Sequence, residues 1–236
     1  MAGILFIISA PSGSGKSTLV NQLRSLVTDI DFSVSYTTRA PRGSEQPGRE
    51  YNYTSRHRFE EMVDRGEFLE WASVFGNYYG TACHSLSAAE AAGKDLLLDI
   101  DVQGASQVRE KLPDAVSIFV LPPNPDELKV RLRNRSLAEG SLDEQEIARR
   151  LAKARGEIQA YEKYDYILIN DKLDYAVESL KAIVITERAK RHGAPPDPEI
   201  VRMRQLADQC RQVNITDRLE PVLSSFGLLN MHATHA

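Results

Sequence analysis

One ten-residue string limits what this chain can fold into more than any other: Ser9-Ala10-Pro11-Ser12-Gly13-Ser14-Gly15-Lys16-Ser17-Thr18. It follows a nearly unbroken apolar run, Ile4–Ser9, and opens the helical pattern Ser17–Leu26. Strand, glycine-rich turn and helix is the local order of a phosphate-binding loop, Gly, four residues, then Gly-Lys-Ser/Thr. Each part has a physical reason. Glycines let successive backbone N–H groups close around anionic oxygens without a Cβ in the way. The helix that follows turns its positive end toward the anion. Lys16 brings a mobile charge to β- and γ-phosphates, and Ser17 can hold a magnesium ion. Ala10 stands where the strict pattern has its first glycine, so φ there is expected to be negative. The competing reading is an ordinary glycine-rich strand-to-helix turn.

Such a loop belongs at the edge of a parallel sheet, and the rest of the chain supplies one. Further strand-length apolar runs lie at Leu96–Ile100, Ser117–Leu121 and Tyr166–Ile169. Helical patterns separate them at Val102–Lys111, Asp126–Leu137, Asp143–Tyr161 and Asp174–Lys190. This alternation predicts an α/β fold, a three-layer P-loop domain with a central parallel sheet. Residues 33–83 break the rhythm. Strand-like pieces Phe32–Thr37, Tyr51–Tyr53, Phe68–Ser73 and Asn77–Thr81 surround a short helix near Arg58–Arg65, which reads as an inserted β-rich lobe. A second break begins at residue 189. A proline-rich hinge, 193–198, precedes a helical segment Glu199–Val213 with Ile200, Met203, Leu206, Ala207 and Cys210 on one face. Residues 224–236 are expected to fray.

Composition excludes several classes of partner. The chain has 236 residues, with 29 Lys plus Arg against 33 Asp plus Glu, a net charge of −4. That balance argues against a nucleic-acid coat and against a polybasic membrane binder. No apolar run approaches the ~18 residues of a membrane span. The opening run Ile4–Ile8 has no preceding Lys or Arg, so it does not read as a signal peptide. Cys83 and Cys210 have neither metal-ligand nor redox-pair spacing. A cytoplasmic location, without nucleic-acid or membrane partners, is the expectation.

Two further features bear on chemistry. Leu96-Leu97-Leu98-Asp99-Ile100-Asp101 is an apolar strand ending in two acids. On an extended strand both would share a face, and a carboxylate at such a strand end takes part in magnesium coordination in phosphoryl-transfer proteins. The lobe carries Arg39, Arg42, Arg49, Arg56 and Arg58 but no lysine. Guanidinium suits two-point phosphate recognition, where Lys offers a point charge. Tyr51, Tyr78 and Tyr79 add phenols that could complete a phosphomonoester site. Solvated arginines and core tyrosines are the alternative.

Taken in order, the loop string, 32–42, Gly48-Arg49-Glu50-Tyr51, Phe68-Leu69-Glu70-Trp71, Gly76-Asn77-Tyr78-Tyr79-Gly80-Thr81 and Leu98-Asp99-Ile100-Asp101-Val102-Gln103-Gly104 resemble guanylate kinases. The bacterial type is the most similar, from about Gly3 to about Arg188. The resemblance implies ATP + GMP ⇌ ADP + GDP with magnesium, hence a role in purine nucleotide metabolism. It implies a core (3–32, 96–126 and 159–188), a GMP lobe (33–95) and a lid (127–158), with 189–236 outside it.

Residue by residue, it implies ATP binding by Ala10, Pro11, Ser12, Gly13, Ser14, Gly15, Lys16, Ser17 and Thr18, with Asn170 near the adenine. Arg39, Arg42, Tyr51 and Tyr79 would hold the GMP phosphate, and Ser35, Glu70, Thr81 and Asp101 would read guanine. Asp99 would stand beside the acceptor and, with Ser17, hold magnesium, partly through water. Lys16, Arg39, Arg131, Arg135 and Arg150 would serve catalysis. The base chemistry agrees independently. A carboxylate such as Glu70 accepts from guanine N1–H and N2–H together, and a hydroxyl of Ser35 or Thr81 donates to O6. Arg131 and Arg135 lie four apart, on one helix face. A catalytically inactive protein-binding relative, or a kinase acting on a ribose bisphosphate, are the alternatives. Oligomeric state is left open.

Overall fold

The computed structural model describes residues 3–138, 143–193, 195 and 197–229. Along the chain run β1 (Leu5–Ser9), α1 (Lys16–Leu26), β2 (Ile30–Phe32), β3 (Tyr36–Thr37), β4 (Asn52–Tyr53), α2 (Arg56–Asp64), β5 (Phe68–Val74) and β6 (Asn77–Ala82). There follow α3 (Cys83–Ala92), β7 (Asp95–Asp99), α4 (Val102–Lys111), β8 (Val116–Leu121), α5 (Pro125–Ala138) and α6 (Glu144–Ile158). A 3₁₀ turn (Gln159–Lys163), β9 (Tyr166–Ile169), α7 (Leu173–His192), α8 (Pro198–Asp208) and α9 (Thr216–Ser225) complete it. The fold is α/β, and the chain forms two compact units, one of residues 1–8 and 29–116, the other of 9–28 and 117–236.

In the first unit, β7 lies between β2 and β1, all parallel, with Leu5 opposite Leu96 and Ile30 opposite Asp95. Phe6, Ile7, Ile8, Leu97 and Leu98 are fully buried, as strands covered on both faces require. A second, four-stranded sheet has the order β4-β3-β6-β5. Its β5–β6 hairpin turns at Phe75 and Gly76, both with positive φ, the turn whose twist matches the strands it joins. Phe59, Met62, Phe68 and Ala82 form the small core beneath it. A Cβ at Gly80 would meet the Phe68 ring at 2.9 Å, so the rings pack directly on backbone.

In the second unit, β8 and β9 run parallel with Ile118 opposite Tyr166, and α1, α5, α6 and α7 carry the buried Leu19, Leu23, Leu128, Leu132, Ile158, Leu180 and Ile183. The C-terminal segment packs into this unit. Ile167 N–H donates to Cys210 O (2.7 Å) and Gln212 N–H to Asp165 O (3.0 Å), so residues 210–212 run along β9. The Arg211 guanidinium donates to the Tyr166 hydroxyl (3.0 Å) and lies 5.0 Å over its ring. Arg155 of α6 donates to Gly227 O (3.0 Å). No described helix is long and apolar enough to cross a membrane.

Several expectations need correction. Phe32–Thr37 is not one strand: β2 ends at Phe32 and β3 joins the other sheet, because Ser33 N–H still follows Leu97 O before the chain departs. The helix expected near Arg58 starts at Arg56, where Ser55 caps it by accepting Arg58 N–H. The helix expected over Glu199–Val213 ends at Asp208, since the chain turns to follow β9. Fraying from residue 224 does not hold for 224–229: Ser224 and Ser225 finish α9, and Phe226 and Leu228 are buried. Residues 230–236 lie outside the described residues, as do hinge residues 194 and 196 and lid residues 139–142. Asp99 and Asp101 do not share a strand face. Asp99 ends β7, and Asp101 caps α4 by accepting Gly104 N–H at 2.9 Å. Helices α3 and α9 have no counterpart in the sequence pattern.

Candidate functional site

The glycine loop of the second unit is closed by backbone geometry. Gly13 and Gly15 have φ of 89° and 90°, a region where side chains other than glycine are strained. Ser14 N–H donates to Pro11 O (3.1 Å), and Lys16 begins α1 directly after Gly15. Among described non-glycine residues only Asp29 and Phe75 have positive φ, so Ala10 needs no glycine. Ser17 and Thr18 are exposed on the first turn of α1, whereas Pro11 and Ser14 are buried. The hydroxyls of Ser9 and Ser14 are buried without a hydrogen-bond partner among the described residues.

Two side chains brace this loop. Asn170, 4% exposed at the end of β9, donates from Nδ2 to Ser14 O (2.8 Å). A Cβ at Gly15 would fall 2.3 Å from that same nitrogen. Arg131 of α5 donates to Ser14 O (3.3 Å) and Asn170 O (3.0 Å) while Glu127 accepts its Nε–H (2.9 Å). Arg131 is thus brought to the loop. Arg135 is exposed in the last turn of α5. Arg150 lies on α6, paired with Glu146 at 2.9 Å.

In the first unit, Arg39, the Arg42 backbone and Tyr53 converge on a residue the sequence did not single out, Glu45. One terminal nitrogen of Arg39 donates to both Glu45 oxygens (3.0 and 2.9 Å), and the other donates to Ala40 O (2.8 Å). Arg42 N–H (2.9 Å) and the Tyr53 hydroxyl (2.8 Å) also donate to Glu45. The Arg39 guanidinium lies 5.3 Å over the Tyr51 ring, and Tyr51 meets Tyr79 edge-on at 5.7 Å. Burial alone would lift the Glu45 pKa, but the Arg42 N–H, Tyr53 and Arg39 outweigh it and hold the carboxyl below its usual range. Burial, followed by the hydrogen bond to Glu45, pushes the Tyr53 hydroxyl up to about 12. Burial opposes charge on Arg39 as well, yet Glu45 and Tyr79 overcome it and raise its pKa. The cluster is therefore a fixed, charged fork.

The sheet's other end holds a buried carboxyl. Glu70 is 3% exposed and pairs with Thr81 across β5 and β6, just after an irregularity at Leu69. Burial pushes the Glu70 carboxyl up to about 7; Thr81 and the Lys111 charge pull it down, and the Asp101 charge adds to the rise. Ser35 is buried immediately before β3, whose Tyr36 faces Gly80. Asp99 is half-buried at the end of β7, opposite Ile8. Glu70, Thr81 and Asp101 are thus near one another, and Arg39 meets Tyr51, Tyr79 and Glu45, which also accepts the Arg42 N–H. No group of three or more His, Cys, Asp or Glu side chains with metal-binding geometry occurs among the described residues.

A parallel α/β sheet whose first strand passes through left-handed glycines into a helix N-terminus is the architecture of P-loop nucleotide-binding proteins. The model of the family described as guanylate kinase matches residues 3–187. The chain is 52% identical over 226 residues to the guanylate kinase of Koribacter versatilis, covering 96% of this chain and 97% of that one. It is 47% identical over 188 residues to that of Geobacter metallireducens, covering 80% and 91%. Among solved structures, guanylate kinase from Anaplasma phagocytophilum is similar with a TM-score of 0.66 and 34% identity, covering 79% of this chain and 86% of that one. The chain belongs to the guanylate kinase family.

Proposed function

We propose that this chain transfers the γ-phosphoryl group of ATP to GMP, giving ADP and GDP. The observation that carries the reading is the buried Glu70 in the unit that also holds the Arg39 fork. A buried acceptor carboxyl suits a base that presents two adjacent N–H donors. Adenine, with an unprotonated N1, would leave Glu70 mismatched, at a cost of about 1–3 kcal/mol.

In this reading Arg39, Arg42, Tyr51 and Tyr79 hold the acceptor phosphate. Glu45 keeps the Arg39 guanidinium aimed while it does so. Ser35, Glu70, Thr81 and Asp101 read guanine, with Asp99 beside them. Residues 10–18 wrap the ATP phosphates, where the buried Ser9 and Ser14 hydroxyls could gain acceptors. Asn170 stands near the adenine and fixes the Ser14 carbonyl, and hence the loop. Lys16, Arg131, Arg135 and Arg150 neutralise charge that spreads over the transferring group.

Ser17 and Asp99 offer the hard oxygen donors that magnesium takes; when bound, the ion would offset charge on the β- and γ-phosphates. A core, GMP lobe (33–95) and lid (127–158) belong to the same proposal, as does a cytoplasmic location, in keeping with two free thiols. A protein-binding module without activity would have no use for an intact loop, Lys16 and braced Arg131.

The test supplies MgATP with GMP, AMP, CMP, UMP or ribose 1,5-bisphosphate and follows ADP. GMP alone is expected to give sustained turnover. Turnover with AMP or the ribose bisphosphate but not GMP would overturn the assignment.

A further inference from the structure

Strand β5 is an edge strand of its sheet, so its outward N–H and C=O groups need partners from elsewhere. They come from α4. The Gln107 side chain donates to Trp71 O (2.7 Å) and accepts Trp71 N–H (3.2 Å), the pair of bonds a neighbouring strand would make. Two residues back, Lys111 Nζ donates to Leu69 O (2.5 Å). Between these two fixed points stands Glu70. Its carboxylate rests on the first turn of α4, where a Cβ at Gly104 would fall 2.2 Å from Oε2. Residues 104, 107 and 111 follow i, i+3, i+7 spacing and so form one helix face. The strand is also irregular here, because Phe68 pairs with Ala82 and Glu70 with Thr81, leaving Leu69 extra. Such a bulge re-aims the side chain that follows it and needs outside support to keep one geometry.

Resting on the reading of Glu70 as the guanine acceptor, we infer that Gly104, Gln107 and Lys111 are positioning residues for base selectivity. They clamp the bulged stretch 69–71 from behind and fix the direction of the Glu70 carboxylate. A carboxylate discriminates guanine only if both oxygens meet N1–H and N2–H at once. A loosened clamp should keep one bond and lose the second. Selectivity for the 2-amino group is then set in part by a helix face that does not touch the nucleotide.

The probe is inosine monophosphate, which lacks that 2-amino group. Steady-state kcat and KM are measured with GMP, with inosine monophosphate and with ATP for wild type, Gln107→Ala, Lys111→Met and Lys111→Arg. Thermal midpoints confirm that each variant is folded. Wild type is expected to prefer GMP. Gln107→Ala and Lys111→Met are expected to shrink that preference about tenfold, through KM for GMP, with KM for ATP within about twofold. Lys111→Arg, which keeps donor and charge, retains it. An unchanged GMP preference in both Gln107→Ala and Lys111→Met overturns the clamp, and so does an equal loss with all three nucleotides. A wild type that phosphorylates neither monophosphate would instead overturn the parent reading of the function.

Discussion

The glycine loop and the lobe are both built to meet anions, yet they use opposite materials. The loop relies on backbone: left-handed Gly13 and Gly15, the start of α1 and a Ser14 carbonyl tied down by Asn170 and Arg131. The lobe relies on side chains. Its Arg39 is matched by Glu45, and Glu70 is buried as a carboxyl near the Asp101 charge. Backbone dipoles carry no net charge, so a loop of them can be preorganised without a counter-ion. Side-chain charges must be compensated when they are removed from water. The lobe therefore holds a carboxylate partner for Arg39 and, at Glu70, a titration point near neutrality.

The sharpest break of this contrast is Lys16→Ala. It removes the loop's mobile charge but leaves its backbone intact, so turnover should fall by about 10²–10³-fold with the thermal midpoint unchanged. A coupled ADP-release assay measures it; undiminished turnover would remove Lys16 from catalysis.

Glu70→Gln tests the lobe. KM for GMP should rise by about tenfold or more while KM for ATP holds, because a neutral amide cannot accept from both guanine donors. The same variant tests the cost of the buried carboxyl. Its folded pKa is about 7, above the ordinary 4.5. The folded state therefore holds the proton more tightly, and Glu70 loses the protein stability as pH rises from 4.5 through 7. In the absence of nucleotide, Glu70→Gln should be more stable than wild type at pH 8 by about 1–3 kcal/mol, and the gap should close by pH 4.5. In the opposite sense, wild-type kcat/KM for GMP should fall as pH drops below about 7, since the acceptor becomes protonated.

Glu45→Gln should give the smallest effect. The amide keeps one acceptor for Arg39 but drops the charge, and KM for GMP should rise about fivefold. A lower KM would mean that Glu45 competes with the acceptor phosphate for Arg39 rather than holding it in place.

The same contrast explains what the sequence disclosed. A backbone cradle needs contiguous residues, so 9–18 could be read as one string, and the uniformly apolar Tyr166–Ile169 and the helix Val102–Lys111 have the bounds their patterns indicated. A side-chain pocket draws on distant segments. Nothing local marks Glu45 as the partner of Arg39, because the five intervening residues must turn to bring them together. Gln107 gives no signal either, since its role depends on β5 being an edge strand. The split of Phe32–Thr37 escaped the pattern because two strands in different sheets can share one alternating run. Asp101 was misread for the complementary reason: alternation assumes an extended chain, and a helix cap ends it.

The run of residues 210–212 beside β9 has a consequence for how the molecule behaves in a crowd. An uncovered strand margin is an invitation to lateral stacking with another chain. Here that margin is sealed by the molecule's own tail, anchored by Arg211 on Tyr166. The appendage past the family's matched region thus gives the β9 backbone the hydrogen-bond partners that another chain could otherwise supply.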